Sequence, residues 1–227
     1  MQKMYLLLVI STKQDHKEFL DLFERYEVPH VYSVPCTGTA GSGTLALLGL
    51  EKTEKIAHFT LATRNKTEEL FAALTREVQI DLPQRGIALA LPLTSISGAM
   101  ALRGFAGGHE NDEMTKEPYP MQTDKELIVI ICENGHTDEV MQAARAAGAG
   151  GGTVLHAKGT GGTRGEKFFS VSLADEKDMI YIIAHKDEKA AIMRSINEQA
   201  GPGTKAGAIC FSLPISSVAG LRAREEN

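Results

Sequence analysis

The feature of the sequence that most constrains its fold is an internal repeat with a spacing of 122 residues. The segment LPLTSISG at 91–98 recurs as LPISSVAG at 213–220. Three shorter matches follow the same order, at this spacing or one residue from it: 7–9 with 129–131, 38–41 with 159–162, and 59–62 with 181–184. Four ordered matches exceed what chance supplies, so the sequence predicts two homologous domains.

Each copy shows the same succession of apolar and amphipathic segments. Short apolar runs predict strands, and apolar residues three and four apart predict helices. The predicted strands are 4–10, 31–36, 56–62 and 87–91 in the first copy, and 127–132, 153–158, 179–185 and 208–213 in the second. The order βαββαβ predicts an α+β fold class: tandem ferredoxin-like plaits, each an antiparallel sheet with helices on one face.

Polar residues mark the predicted helix starts. Asp15 precedes Glu18 by three residues, the spacing of a capping box. Asn65 marks the second helix in the same way, Thr137 begins the third, and the fourth starts near Asp187.

The segment between the copies differs in composition from both of them. It contains two adjacent glycines, the acidic segment ENDE at 110–113 and two prolines, and it has no apolar periodicity. This pattern is typical of a linker. The predicted domains are therefore 1–98 and 126–227, joined by a linker at 99–125.

One strand of the second copy is apolar on both sides. Residues 179–183 (MIYII) are apolar at nearly every position. In a sheet with one solvent-exposed face, by contrast, apolar and polar residues alternate along each strand. The second face of the sheet must then be covered. This predicts a homo-oligomer, or packing of one repeat on the other.

Composition excludes several function classes. The net charge of −5 gives no general attraction to nucleic acid or to an anionic membrane. The apolar runs are too short to span a bilayer, which predicts no membrane insertion. Three widely spaced cysteines indicate reduced thiols in a cytoplasmic protein.

The segment 156–167 (HAKGTGGTRGEK) combines glycines with basic residues. Glycines let backbone amides converge on an anion, and Lys158, Arg164 and Lys167 add positive charge. Phosphate binding and a solvated hairpin tip both fit this pattern. A P-loop is excluded by spacing, and a dinucleotide fingerprint is excluded by Arg164, where a third glycine would be needed.

No pattern in the sequence indicates catalysis or a resident metal. The histidines lack metal-ligand spacing, and no nucleophile elbow is present. His156 and His185, at strand ends, are interpreted as ordinary polar boundary residues. Cys132 and Cys210 lie in apolar strands, where thiols tend to be inert. We therefore predict a protein that is not an enzyme.

The second copy resembles the P-II nitrogen regulatory protein family over residues 126–222. The resemblance rests on a strand that begins Gly-Thr-Val at 152–154 and runs into Lys-Gly-Thr-Gly at 158–161, and on FSLPI at 211–215. The first copy resembles the family only through the repeat, as a degenerate version.

This resemblance implies a trimeric signalling domain that binds ATP or ADP in clefts between subunits. Many such domains sense 2-oxoglutarate and regulate partners such as ammonium transporters and metabolic enzymes through the loop after strand two. Here that loop contains no tyrosine between Gly159 and Lys167, which argues against regulation by uridylylation. The ligand-binding residues implied are Thr153, Lys158, Gly159, Thr160, Gly161, Gly162, Arg164, Lys205, Gly207 and Arg222.

The leading hypothesis is a cytoplasmic, non-enzymatic P-II-like regulator. It would bind an adenine nucleotide (ATP, ADP or AMP) or a related anion and regulate a transporter or a metabolic enzyme in nitrogen or carbon metabolism. The alternative is a structural or partner-binding module of the same fold that has lost nucleotide binding. A small-molecule enzyme on this plait is a weaker third option.

Overall fold

A computed structural model describes residues 3–28, 30–39, 53–93, 122–159, 167–168, 171–172 and 175–221. The helices are α1 (His16–Arg25), α2 (Arg64–Arg76), α3 (Thr137–Ala146) and α4 (Lys186–Ala200). The strands are β1 (Met4–Thr12), β2 (Tyr32–Gly38), β3 (Thr53–Thr63), β4 (Gly86–Pro92), β5 (Lys125–Glu133), β6 (Thr153–Gly159), β7 (Lys167–Phe168), β8 (Val171–Ser172), β9 (Asp175–His185), β10 (Ile209–Pro214) and β11 (Ser217–Ala219).

The chain forms two compact units, which are not simple halves of the sequence. The first unit comprises Met1–Pro35, Glu54–Asp124 and Pro214–Asn227, and the second comprises Cys36–Thr53 and Lys125–Leu213. These units differ from the predicted domain limits in the segments 36–53 and 214–227. Most of the predicted linker, 99–121, lies outside the described residues.

The first unit is built around β1, which pairs antiparallel with β3 and β4. Alternate residues of β1, including Leu7 and Val9, are buried against both helices of the unit. The aromatic anchors Phe19 and Phe23 of α1 lie in the same core as Leu70 of α2. Both helices therefore cover one face of the sheet.

Two predicted helix starts differ from the structure in how the helix is capped. Asp15 is the N-cap of α1, but its side chain makes no cap hydrogen bond. Its carboxylate instead accepts from the Thr12 hydroxyl at 2.7 Å and from Arg85 at 3.1 Å. The second helix begins at Arg64, because Thr63 is the N-cap and accepts from a backbone amide of the first turn.

The last strand of the chain belongs to the first unit. In β11, Val218 is the register partner of Leu89 in β4. The amide of Gly220 then donates to Asp81 Oδ1 at 2.7 Å, and Gly220 has a positive φ of 78°. The sequence pattern had not predicted this short strand.

Replacing Gly86 with alanine is expected to destabilise the first unit by about 1–3 kcal/mol. A Cβ at Gly86 would lie 2.5 Å from the carbonyl oxygen of Ile10, which is backbone and cannot rotate away. Urea unfolding measures the change. Gly150→Ala is the matched control, since a Cβ there meets nothing within 4 Å. Equal unfolding midpoints for the two variants would contradict the packing argument.

The second unit has the strand order β10-β5-β9-β6. Ile180 of β9 is the partner of Ile130 in β5 and of Val154 in β6. Helices α3 and α4 bury Val140 and Ile192 in the core that holds these strand residues. As in the first unit, both helices lie on one face. The α+β fold class with tandem βαββαβ plaits is confirmed.

The last residues of β2 pair with β6 of the second unit. Thr37 is the register partner of Val154, and Gly38 is the partner of Thr153. Beyond them, the Thr39 hydroxyl donates to the Gly152 carbonyl at 3.0 Å and accepts from the Gly152 amide at 2.9 Å.

The sheet face opposite the helices is also buried in places. In the second unit, Leu127 and Val129 alternate with the core residues of β5 and are 2% and 4% exposed. This burial agrees with the pattern of strands apolar on both sides. The oligomer inferred from that pattern stays a prediction. No helix within the described ranges is both long and apolar enough to cross a membrane.

Candidate functional site

The residues predicted to bind a ligand occupy two ends of β6 and one neighbouring loop. Thr153 begins β6, and Lys158 and Gly159 end it. Lys205 and Gly207 lie between α4 and β10. The remaining predicted residues lie outside the described residues: Thr160, Gly161, Gly162, Arg164 and Arg222.

Lys158 and the loop that carries Lys205 lie at the same end of the second sheet. Lys158 is the register partner of Glu176 in β9. The amide of Asn134, just beyond β5, donates to the Glu176 carbonyl at 3.4 Å. The amide of Glu133 in turn donates to the carbonyl of Ala206 at 2.9 Å. These contacts place the end of β6 and the loop before β10 along one edge of the unit.

The predicted residues that the structure describes are spread along the sheet and do not form one compact pocket. Two strands separate β6 from β10, which corresponds to about 14 Å at about 4.8 Å per strand. Thr153 lies about 17 Å along β6 from Lys158, at about 3.3 Å per residue. A ligand that touched all of these residues would have to be extended.

The charges at this end are mixed. Lys158 and Lys205 are exposed and can reach an anion from solvent. The Glu133 side chain is a negative charge close to Gly207. A Cβ placed on Gly207 would lie 3.8 Å from Cγ of Glu133. Lys177 forms an ion pair with Glu133 and reduces the repulsion an anion would meet there. Gly207 has a φ of +55°, which explains the glycine.

A second polar group, which the sequence had not revealed, centres on Asp178 of β9. This carboxylate is 2% exposed. Its Oδ2 accepts from the Thr137 hydroxyl at 2.8 Å and from the Gly135 amide at 3.2 Å. Its Oδ1 lies 2.6 Å from Nδ1 of His156. The carboxylate therefore ties the start of α3 to β9 and β6.

His156 is more than the boundary residue that its position suggested. A carboxylate accepts hydrogen bonds, so Nδ1 of His156 donates to Asp178. In the neutral imidazole, Nε2 then keeps its lone pair. The His156 side chain is 71% exposed, while its partner is buried. A buried carboxylate thus fixes the tautomer of an accessible imidazole.

A cavity of about 140 Å³ lies beside this pair. Its buried lining includes Val154 and Thr137, and the exposed residues at its margin include Asn134 and Asp138. The full lining is Thr37, Thr39, Asn134, Gly135, Thr137, Asp138, Val154, His156 and Asp178. All nine residues belong to the second unit.

The neighbouring Cys132 behaves as the sequence predicted. Burial, reinforced by the nearby Asp178 carboxylate, raises the pKa of its thiol to about 11. Such a thiol is protonated at neutral pH and is a poor nucleophile. Among the residues that the structure describes, no three His, Cys, Asp or Glu side chains are grouped to hold a metal.

The first unit contains a buried imidazole in its own core. His58 is 1% exposed, and its ring nitrogens lie 3.2 Å from the Ser11 hydroxyl and 2.9 Å from the Ser33 hydroxyl. The ring stacks on His16 at 5.2 Å and meets Phe23 edge-on. Burial, aided by the charge of His16, lowers the pKa of His58 to about 4. It is neutral at physiological pH.

Comparison with known proteins finds a family that resembles the second half of the chain. Residues 125–225 match the family model described as nitrogen regulatory protein P-II. A crystal structure of Arabidopsis thaliana PII bound to citrate shares 21% identity with the chain, over 42% of this chain and 78% of that one, with a TM-score of 0.33. No curated protein sequence matches the chain.

The matched residues contain the whole of β5, α3, β6, β9, α4 and β10, which form an α+β fold. This part of the chain is similar to the P-II family. Members of this family are generally non-enzymatic signalling proteins that interact with partner proteins and form trimers.

Proposed function

We propose that the protein is a non-enzymatic P-II-like regulator that binds an adenine nucleotide through the second unit. One observation carries this proposal: within the family-matched segment, Lys158-Gly159 and the loop of Lys205 and Gly207 lie along one edge of the sheet. The two exposed lysines supply positive charge for phosphate groups, and glycine backbone allows close approach.

The separation of these residues bears on the shape of the ligand. A site extended over about 14 Å suits an elongated anion better than a single phosphate. A nucleotide can place its phosphates at one lysine while its base lies elsewhere along the edge. The proposed ligands are ATP, ADP or AMP.

The proposed output is control of a partner protein. The loop after β6, which begins at Gly159, would report nucleotide occupancy to a transporter or a metabolic enzyme in nitrogen or carbon metabolism. We propose a cytoplasmic location and a homo-oligomer with trimer-like packing of domains, in which a second copy completes the nucleotide site.

Replacing Lys158 with glutamine is expected to weaken ATP binding by about 10- to 150-fold. This range corresponds to the loss of one charge-assisted hydrogen bond, about 1.5–3 kcal/mol. Titration calorimetry with ATP, ADP and AMP measures the effect. Lys186→Gln, an exposed lysine at the start of α4, is the control and should bind as wild type.

The same titrations test the alternative, a partner-binding module without nucleotide. Neither heat nor a thermal shift with any of the three nucleotides would refute nucleotide binding. Partner binding that does not change with added nucleotide would then support the alternative. This alternative is favoured by the first copy's loop at 36–43, which contains no basic residue.

A further inference from the structure

We propose that the cavity beside the Asp178–His156 pair is a second binding site, for a small organic cation rich in N–H donors, such as a primary ammonium or a guanidinium. The cavity is lined by different residues from those of the proposed nucleotide site. The proposal stands whether or not a nucleotide binds.

Two of the three threonine hydroxyl groups that line the cavity donate their protons within the protein. The Thr137 hydroxyl donates to Asp178, and the Thr39 hydroxyl donates to the Gly152 carbonyl. A hydroxyl has one proton and two lone pairs, so a ligand meets these two oxygens as acceptors.

The imidazole adds a further acceptor. Because Asp178 fixes the proton of neutral His156 on Nδ1, Nε2 presents a lone pair. Asp138 contributes carboxylate oxygens, which accept and cannot donate when ionised. The described lining therefore offers mainly acceptors, and its complement is a donor.

The charge of the lining points to the same chemistry. The nine lining residues include two carboxylates, those of Asp138 and Asp178, and no lysine or arginine. An anion would meet repulsion from these two carboxylates, whereas a cation would be attracted to them. The buried position of Asp178 strengthens its field, because little water screens it.

The size of the cavity limits the ligand. A volume of about 140 Å³ corresponds to four or five water molecules, at about 30 Å³ each. This accommodates a cation of a few heavy atoms and is too small for a nucleotide. The apolar wall at Val154 suits a short alkyl stem beside the charged head.

The probes are ethylammonium and guanidinium chlorides, added to the nucleotide-free full-length protein. Tetramethylammonium chloride has the same charge and no N–H donor, and sodium acetate supplies an anion. The readout is the imidazole nitrogen resonances of His156 by NMR, with calorimetry as a second measurement. We expect saturable shifts in the millimolar range with at least one of the two donor cations and none with the two control salts.

The matched pair of variants is Asp138→Asn and Asp187→Asn. Both aspartates are exposed and occupy the second position of a helix, but only Asp138 lines the cavity. Asp138→Asn should weaken binding at least tenfold, the effect of losing one charge-assisted contact. Asp187→Asn should leave binding unchanged. Thr37→Val, which removes a lining hydroxyl at similar volume, gives a second test within the cavity.

Three results would overturn the proposal. One is the absence of any saturable shift up to about 50 mM of either donor cation. Another is equal binding of tetramethylammonium, which would reduce the effect to unspecific charge. The last is equal affinity of Asp138→Asn and Asp187→Asn, which would place the cation elsewhere. ATP titration of the same samples tests the nucleotide site separately.

Discussion

Replacing Asp178 with alanine is expected to lower the free energy of unfolding of the second unit by about 3 kcal/mol. The carboxylate accepts three hydrogen bonds, and its partners come from α3, the loop before it and β6. Without it, the buried Thr137 hydroxyl loses its acceptor. The accessible His156 can turn to water, so its share of the loss is smaller.

The chain has no tryptophan, so urea unfolding is best followed by far-UV circular dichroism. Hydrogen exchange of the α3 and β9 amides assigns the loss to the second unit. Asp187→Ala removes an exposed carboxylate and should change the stability by less than about 0.5 kcal/mol. If both variants unfold at the same urea concentration, Asp178 does not organise this part of the unit.

Acidification from pH 6.5 to about 4 is expected to destabilise the first unit through His58. The unfolded chain takes up a proton at a pKa near 6.5, whereas burial holds the pKa of folded His58 at about 4. The unfolded state thus binds more protons between these values, and stability falls as the pH falls. The loss from this residue reaches about 3 kcal/mol at pH 4 and is absent above pH 7.

The His58→Gln variant tests directly whether His58 lowers the stability of the protein as the pH falls. Glutamine can donate and accept between the Ser11 and Ser33 hydroxyls but does not titrate. Its unfolding free energy should fall less than that of wild type between pH 7 and 4, while carboxylate titration contributes equally to both. His185→Gln, at an exposed position, should keep the wild-type slope. Parallel pH profiles for wild type and His58→Gln would refute the assignment.

The fold could be predicted from the sequence because its signals are local. Apolar runs such as residues 4–10 and 127–132 lie inside β1 and β5 as observed. Helix starts were less predictable, since a cap depends on which partner a side chain finds. Asp15 turns to Thr12 and Arg85, which comes from far along the chain. Strand β11 was missed because its partner, β4, belongs to the other copy of the repeat.

The two polar sites differ in how far the sequence could predict them. Lys158 and Gly159 stand in one continuous motif, which is visible in the sequence alone. The group around Asp178 is not continuous: His156 and Thr137 are 22 and 41 residues away. His156 and Asp178 come together only because they are register partners in the pairing of β6 with β9. No rule about spacing along the sequence predicts that register.

The placement of β11 has a consequence for how this protein can be divided. The segment Pro214–Asn227 is built into the first unit, and Cys36–Thr53 is built into the second. A fragment that ends near residue 98 therefore lacks an edge strand of its own sheet, and a fragment that starts near residue 126 lacks the residues that contribute Thr37 and Thr39 to its cavity. Each unit is therefore built from segments of both copies of the repeat, and a cut near residue 98 or 126 removes a segment from one of the two units.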